Sequence, residues 1–370
     1  MKVELADLVA QHKALQSEIR AALDDVFEHC RFILGPNVTA FEAEIAELCG
    51  AKYAVGVNSG TDALLLALAA LGIGPGDEVI TTPFTFVATA ETIAQLGATP
   101  VFADIDLATF NISPAEIERH ITSKTKAIIP VHLFGQIADS DAINAIALNY
   151  GIPVIGDGAQ AIGATRHGKP VGQTADLTTL SFYPTKNLGG CGDGGMVLTS
   201  DDRLFDELKL LRFHGSGGGY FYKRVGYCSR LDEIQAAVLR VKLTKLADWN
   251  GARQRNGARY IERLRGVSGL TLPSTLAGND HIYHQFTLRV EDGPTRRDAL
   301  KAHLASREIG SAIFYPLSLH LQEPYATEGI GPGSMPNSEQ VTNEVLSIPV
   351  HPDLTLDQVD YVASAIADFK

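Results

Sequence analysis

Cysteine is scarce and scattered: the 370-residue chain has four, Cys30, Cys49, Cys191 and Cys228, with no metal-type pair and no disulfide framework among them. A thiolate metal centre is excluded, no metal is expected, and thiols left free fit a cytoplasmic, reducing setting. No apolar run is long enough to cross a membrane, and no basic segment followed by an apolar stretch opens the chain, so neither a membrane-embedded nor a secreted protein is expected. Positive charge is in deficit: 31 Lys and Arg against 43 Asp and Glu leave a formal net charge of −12. Nucleic acid and anionic membrane are therefore poor bulk partners, and an anionic substrate would need local cations. Internal repeats and low-complexity tracts are also missing.

What is present is a chain 45% hydrophobic and 20% charged, able to bury a large core. Its length exceeds the usual single core, so two closely packed domains are expected. Helical spacing of apolar residues runs through 4–31 and again through 37–50, after the Gly35-Pro36 break. Apolar runs suited to buried strands follow at 53–57, 78–82, 99–103, 126–131, 152–156, 177–182 and 195–199, with helical stretches between many of them. This α/β alternation predicts a mainly parallel sheet covered on both faces, with ligands gathered at strand ends. Residues 215–224 are too glycine-rich for a regular element and read as a mobile loop, and a long amphipathic helix is expected from Asp232 to Trp249. The remainder, 250–370, mixes helices with strands expected at 282–290 and 311–315.

The chemistry centres on Lys186, in Ser181-Phe182-Tyr183-Pro184-Thr185-Lys186-Asn187, just before the glycine-rich stretch Gly189–Gly195. A lysine leaving a buried strand beside closely packed backbone is suited to Schiff-base chemistry, which needs an amine that can lose its proton. Upstream lies Asp157, in Val154-Ile155-Gly156-Asp157-Gly158-Ala159-Gln160. Pyridoxal phosphate needs such a lysine, an acid facing its pyridine nitrogen, and donors for its phosphate. The phosphate candidate is Asn58-Ser59-Gly60-Thr61-Asp62, where an apolar strand turns into an Ala/Leu-rich helix. Free N–H groups at the helix start and the Ser59 and Thr61 hydroxyls would hold a dianion; a plain helix cap is the competing reading.

With these segments in this order, the chain resembles the sugar aminotransferases of the DegT/DnrJ/EryC1/StrS family, which have the aspartate aminotransferase (type I) fold. The resemblance also rests on Pro83–Ala90, Pro130–Gly135 and Ser229–Ala237, and runs from Phe32 to Pro352. It implies a mainly parallel seven-stranded sheet in a large domain over 1–249, including the N-terminal segment, and a smaller α+β domain over 250–370. It implies pyridoxal 5′-phosphate as cofactor, with Lys186 as anchor and proton shuttle and Asp157 on the pyridine nitrogen. Phe86 matches the family aromatic that stacks on the ring, with core packing as the alternative; Gln160 matches a cofactor-contacting glutamine, with a buried polar role as the alternative; Ser181 matches the phosphate serine.

Two positions depart from the family pattern. Gly156 stands where an acid is usual, and Cys228 where an asparagine usually reaches the phosphate of the neighbouring subunit's cofactor. A thiol is a poorer donor. On the substrate side, Ile309–Gln322 and Tyr283-His284-Gln285 resemble the form found in enzymes acting at C3 of nucleotide-linked keto-sugars. Tyr315 and His320 are candidates for hexose contacts, and Arg230, with Arg212, Lys223 and Arg224, for an anionic group; loop packing or solvation is the alternative for each. The resemblance therefore implies transfer of the L-glutamate amino group to a nucleotide-linked keto-hexose by a homodimer with active sites at its interface. Amination at C4, of a keto-cyclitol, or a non-catalytic regulatory role are the alternatives.

Overall fold

Strand and helix alternate as the apolar runs require, and the strands assemble into one twisted layer. In the computed structural model, which describes residues 1–326 and 329–369, the strands up to residue 200 are β1 Tyr53–Val57, β2 Glu78–Thr81, β3 Thr99–Phe102, β4 Thr125–Ile129, β5 Ile155–Asp157, the short β6 Thr165–Arg166 and β7 Lys169–Pro170, then β8 Leu177–Ser181 and β9 Gly195–Thr199. The ladders β1-β9-β8-β5 and β3-β2-β4 are joined by parallel bridges from Ile128 to Val154 and from Val131 to Asp157, which makes a seven-stranded layer. Its neighbours are parallel except at β9, which runs antiparallel to both β1 and β8. Parallel neighbours need a crossover helix; β8 and β9 have none, so the chain simply returns, and the connection 182–194 carries Lys186.

Both faces of the layer are covered. Helix Gly60–Ala70 packs with Val55, Val57, Leu204 and Leu208 on one side; Phe41, Ile45, Leu180, Phe182 and Leu239 fill the other. C-terminal to these, β10 Leu270–Thr271, β12 Phe286–Val290 and β13 Val345–Ile348 form an antiparallel sheet, while β11 Asn279–Asp280 pairs with β6 in a separate small sheet with β7. Helices Leu246–Leu264, Pro294–Ser306 and Leu356–Ala367 cover the antiparallel sheet, and Val3 from the N-terminus joins their core beside Ile309.

Three elements differ from expectation. The helix expected over 232–249 is two helices, Glu233–Leu243 and Leu246–Leu264. At the break the Thr244 hydroxyl donates back to the Val241 carbonyl at 2.8 Å and Lys245 N–H to Lys242 at 2.9 Å, which tightens the last turn. The strand expected from 282 begins at Phe286, because residues 282–285 instead bond the backbone of Phe134 and Gly135 and Tyr283 takes a φ of 48°. The expected strand 311–315 reduces to one bridge, between Ala312 and Ser347. Residues 215–224 hold no regular element, but they close on themselves through a Ser216–Tyr222 bridge.

Candidate active site

Loops leaving the sheet at the ends of β5 and β8 bring an amine and a carboxylate into one cleft. Lys186 sits on a turn closed by its own N–H to the Tyr183 carbonyl at 2.8 Å. Its amine has lost most of its water, which lowers its pKa to about 8 from 10.5, while the nearby charge of Asp157 opposes the shift. This amine therefore gives up its proton more readily than an ordinary lysine.

Asp157 ends β5 and is buried. Burial raises its pKa, while the Ala159 N–H at 3.2 Å, the Thr89 hydroxyl at 2.9 Å and the Lys186 charge pull it back. Thr89 has one proton, and an ionised Asp157 Oδ2 is the acceptor that draws it; Thr85 Oγ1, 3.1 Å away, then donates to Thr89. Sequence reasoning missed Thr89. The signal available was a threonine at each end of Thr85–Thr89, one helical turn apart at the start of helix Ala88–Gln95.

Phe86 precedes that helix and is 57% exposed, so it is not a core residue; its ring is free to face a flat ligand. Gln160 accepts the Phe134 N–H at 2.7 Å and places its Nε2 3.4 Å from the Tyr315 hydroxyl. Tyr315 lies edge-on to Phe84 at 5.8 Å, and burial first of all keeps its phenol protonated. Tyr315, Gln160 and Asp157 thus line one wall.

Ser59 caps helix Gly60–Ala70, its Oγ accepting the Asp62 N–H at 3.0 Å. This is the competing reading realised, and it leaves the hydroxyl proton free. The N–H groups of Gly60 and Thr61 precede the first intrahelical bond and are available to an anion. Gly60 is pressed against Ser181 so closely that a Cβ there would fall 2.6 Å from Ser181 Cβ and 2.9 Å from its Oγ. Ser59, Gly60, Thr61 and Ser181 therefore lie together at the start of this helix, in a cradle with no room for a methyl group on Gly60. Gly60→Ala is expected to weaken retention of pyridoxal phosphate about tenfold, since overpacking strain of ~1–3 kcal/mol spans that factor; equilibrium dialysis measures it.

Arg230 flanks this cradle. Its guanidinium lies 5.0 Å above the Phe213 ring and its Nη2 is 2.8 Å from Cys228 Sγ, beside a cavity of about 500 Å³ lined by Asn58, Ser59, Asp193 and Asp232. His320 is placed elsewhere. It is buried, with Nε2 3.1 Å from Glu339 Oε1, because Leu319 N–H is anchored on the Pro83 carbonyl at 2.8 Å and Leu319 packs against Phe102 and Met335. Arg212 is buried against Glu42 and the Gly56 carbonyl, and Arg224 pairs with Glu207, so neither cation is free for a substrate.

At the two departures from the family pattern, neighbours account for the residue present. A Cβ on Gly156 would lie 2.9 Å from His132 Nε2. His132 is buried and its pKa is driven down to about 4 by burial, while its Nδ1 accepts the Ala138 N–H at 3.2 Å, so a neutral imidazole occupies the space an acid would need. Cys228 is exposed and its sulfur is engaged by Arg230.

The family model for the DegT/DnrJ/EryC1/StrS aminotransferase family matches residues 13–367. The chain is 48% identical over 371 residues to a pleiotropic regulatory protein of Geobacillus stearothermophilus, covering 100% of this chain and 99% of that one. It is 45% identical over 364 residues to a UDP-N-acetyl-3-dehydro-α-D-glucosamine 3-aminotransferase of Acidithiobacillus ferrooxidans, covering 98% and 97% of the two. Among solved structures it is similar to DesV of Streptomyces venezuelae in complex with a ketimine intermediate, at 42% identity and a TM-score of 0.96 over 99% of this chain and 98% of that one.

Proposed function

Because this chain belongs to the DegT/DnrJ/EryC1/StrS aminotransferase family, we propose that it moves the amino group of L-glutamate onto C3 of a UDP- or dTDP-linked keto-hexose. The observation that carries this reading is the Lys186 amine, depressed to about pKa 8 and facing the buried Asp157 carboxylate. The C3 position is supported by the 3-aminotransferase of Acidithiobacillus ferrooxidans, 45% identical.

Pyridoxal 5′-phosphate is the cofactor, and it supplies an electron sink for the charge left when a substrate carbon loses its proton. The residues present fit it. The Gly60 and Thr61 N–H groups with Ser59 and Ser181 would hold the phosphate, Phe86 would cover a ring face, and Asp157 with Thr89 would keep a pyridine nitrogen protonated. Gln160 and Tyr315, on the same wall as Asp157, would orient the group. Lys186 is the group placed to take up and return the proton at the donor carbon, through the fraction of its amine that the lowered pKa leaves unprotonated. Arg230 would be one cation for an anionic substrate group, with Lys223 a second candidate.

Adding L-glutamate to the protein carrying pyridoxal phosphate is expected to convert the absorbance band of the Lys186-linked cofactor into that of the pyridoxamine form, and a 3-keto nucleotide sugar to reverse it. A spectrum that ignores glutamate would refute the donor; reversal only by a 4-keto sugar or a keto-cyclitol would refute C3. The regulatory name of the Geobacillus stearothermophilus relative favours a second reading, a non-catalytic regulator. The intact Lys186 and Asp157 count against it.

The same proposal includes a cytoplasmic homodimer making amino sugars for surface polysaccharide or antibiotic. Dimerisation is supported by the exposed tip of residues 215–225, where Tyr220, Phe221 and Val225 are 91%, 83% and 91% exposed. A cofactor domain over 1–249 and a C-terminal domain over 250–370 complete it.

A further inference from the structure

The Ile162 carbonyl can only accept, and it fixes the sense of a chain of side-chain hydrogen bonds that ends beside Lys186. It accepts from Asn250 Nδ2 at 3.1 Å, which leaves Asn250 Oδ1 as the acceptor for Asn187 Nδ2 at 2.8 Å. Asn187 then presents Oδ1 to His284 Nδ1 at 2.9 Å. The proton in that last contact must belong to the imidazole, so a distant backbone oxygen sets the Nδ1–H tautomer and leaves the lone pair on Nε2. All three side chains are buried.

His284 is also held through its backbone, because Arg253 Nη1 donates to the carbonyls of Tyr283 at 3.4 Å and His284 at 3.3 Å. Burial first, then the charges of Lys186 and Arg253, keep the imidazole neutral. A neutral histidine beside Lys186, bonded to the very next residue of the same turn, has no part in the roles assigned above.

We propose that His284 is a positioning residue for Lys186, acting through its Nδ1–H bond to Asn187 to fix the turn from which the lysine enters the cleft. The proposal rests on Lys186 being the reacting amine. Without the bond, Asn187 Oδ1 is a buried acceptor lacking a donor, the turn loosens to find one, and water reaches the lysine. Lys186 faces Asp157 and His284, and with Asp157 unchanged the regained water moves the amine back towards ordinary lysine behaviour.

The test compares His284→Asn, whose amide nitrogen falls where Nδ1 stood, with His284→Gln, whose amide reaches the Nε2 position instead. In the full chain stripped of cofactor, acetic anhydride labelling of Lys186 is followed against pH by peptide mass spectrometry. The wild-type midpoint is expected near 8. The Gln variant should shift it up by about one unit, and in the cofactor-loaded enzyme lower kcat ~10–100-fold with KM for the amino donor within about twofold. The Asn variant should recover most of both. A Gln variant matching wild type, or an Asn variant failing as fully as Gln at equal thermal midpoint, would overturn the proposal. Failure of the underlying reading looks different: Lys186→Ala would go on transaminating, while the labelling midpoints are read with no cofactor present.

Discussion

Replacing Lys186 by alanine is expected to slow transamination by roughly 10²–10⁴-fold, the range contributed by a positioned acid–base group. Lys242, which is also buried, is a poor substitute, since its Nζ is committed to the Gly189 carbonyl at 2.6 Å. The variant should still take up pyridoxal phosphate through the Gly60 and Ser181 cradle, without the absorbance of the lysine-linked form, and glutamate should convert it only slowly. Undiminished turnover would end the catalytic assignment; an unchanged phenotype in the organism beside lost turnover would leave room for the regulatory reading. Stability should move the other way. The folded chain releases the Lys186 proton at about 8, the unfolded chain near 10.5, so the unfolded state binds more protons between them and stability rises with pH across that window. Below about pH 8 the partly buried ammonium is a cost, and alanine removes it. Thermal melts of the cofactor-free variant at pH 7 should therefore match or exceed the parent.

Asp157→Asn is expected to reduce turnover by about 10²–10³-fold, the scale of losing one preorganised electrostatic partner of the reacting group. Asparagine keeps the shape: its oxygen can accept from Ala159 N–H, and the Thr89 hydroxyl can turn to the Phe86 carbonyl 3.3 Å away. What is lost is the negative charge that keeps a pyridine nitrogen protonated. The aspartate's folded-state pKa lies above its ordinary 3.8, so the folded chain binds that proton more tightly than the unfolded one. The resulting stabilisation is complete below 3.8 and disappears as pH rises through the raised value, above which the buried carboxylate destabilises. The neutral variant should accordingly melt higher than wild type at pH 7 without cofactor, while catalysing far less. A variant that melts lower, with normal turnover, would show that the carboxylate serves folding rather than chemistry.

Local chemistry was easy to read and distant contacts were not. β1 and β9 fall on the expected 53–57 and 195–199, because short β-branched and apolar runs bounded by turn residues leave little choice. Lys186, Asp157, Ser59 and Gly60 could be named because each is tied to a strand end whose place in an α/β sheet is predictable, whereas Ser181 rests on the family resemblance. Thr89 and Asn250 could not be named, since each acts through a residue at least 60 positions away, Asp157 and Asn187 in turn, and the sequence points to His284 only within Tyr283-His284-Gln285 on the substrate side, not for its bond to Asn187. For His320 the residue type invites a substrate role, while the anchoring of Leu319 on Pro83 turns the ring inward onto Glu339. The break at Thr244 is a hydroxyl competing with a helix, visible only once its proton has chosen the Val241 carbonyl.

The antiparallel return of β9 beside β8 has a consequence for how such a chain could acquire new acceptors. Ser181 and Gly195, the two ends of the lysine turn, are paired across one ladder. Tension or slack introduced at either end is absorbed by the sheet before it reaches the amine, which makes residues 181–195 a poor place to diversify and a dependable fixture around which the rest can vary. Libraries aimed at a different keto-sugar would do better to vary residues 311–313, which a single bridge at Ala312 ties to the sheet, while keeping Tyr315 in its contact with Gln160.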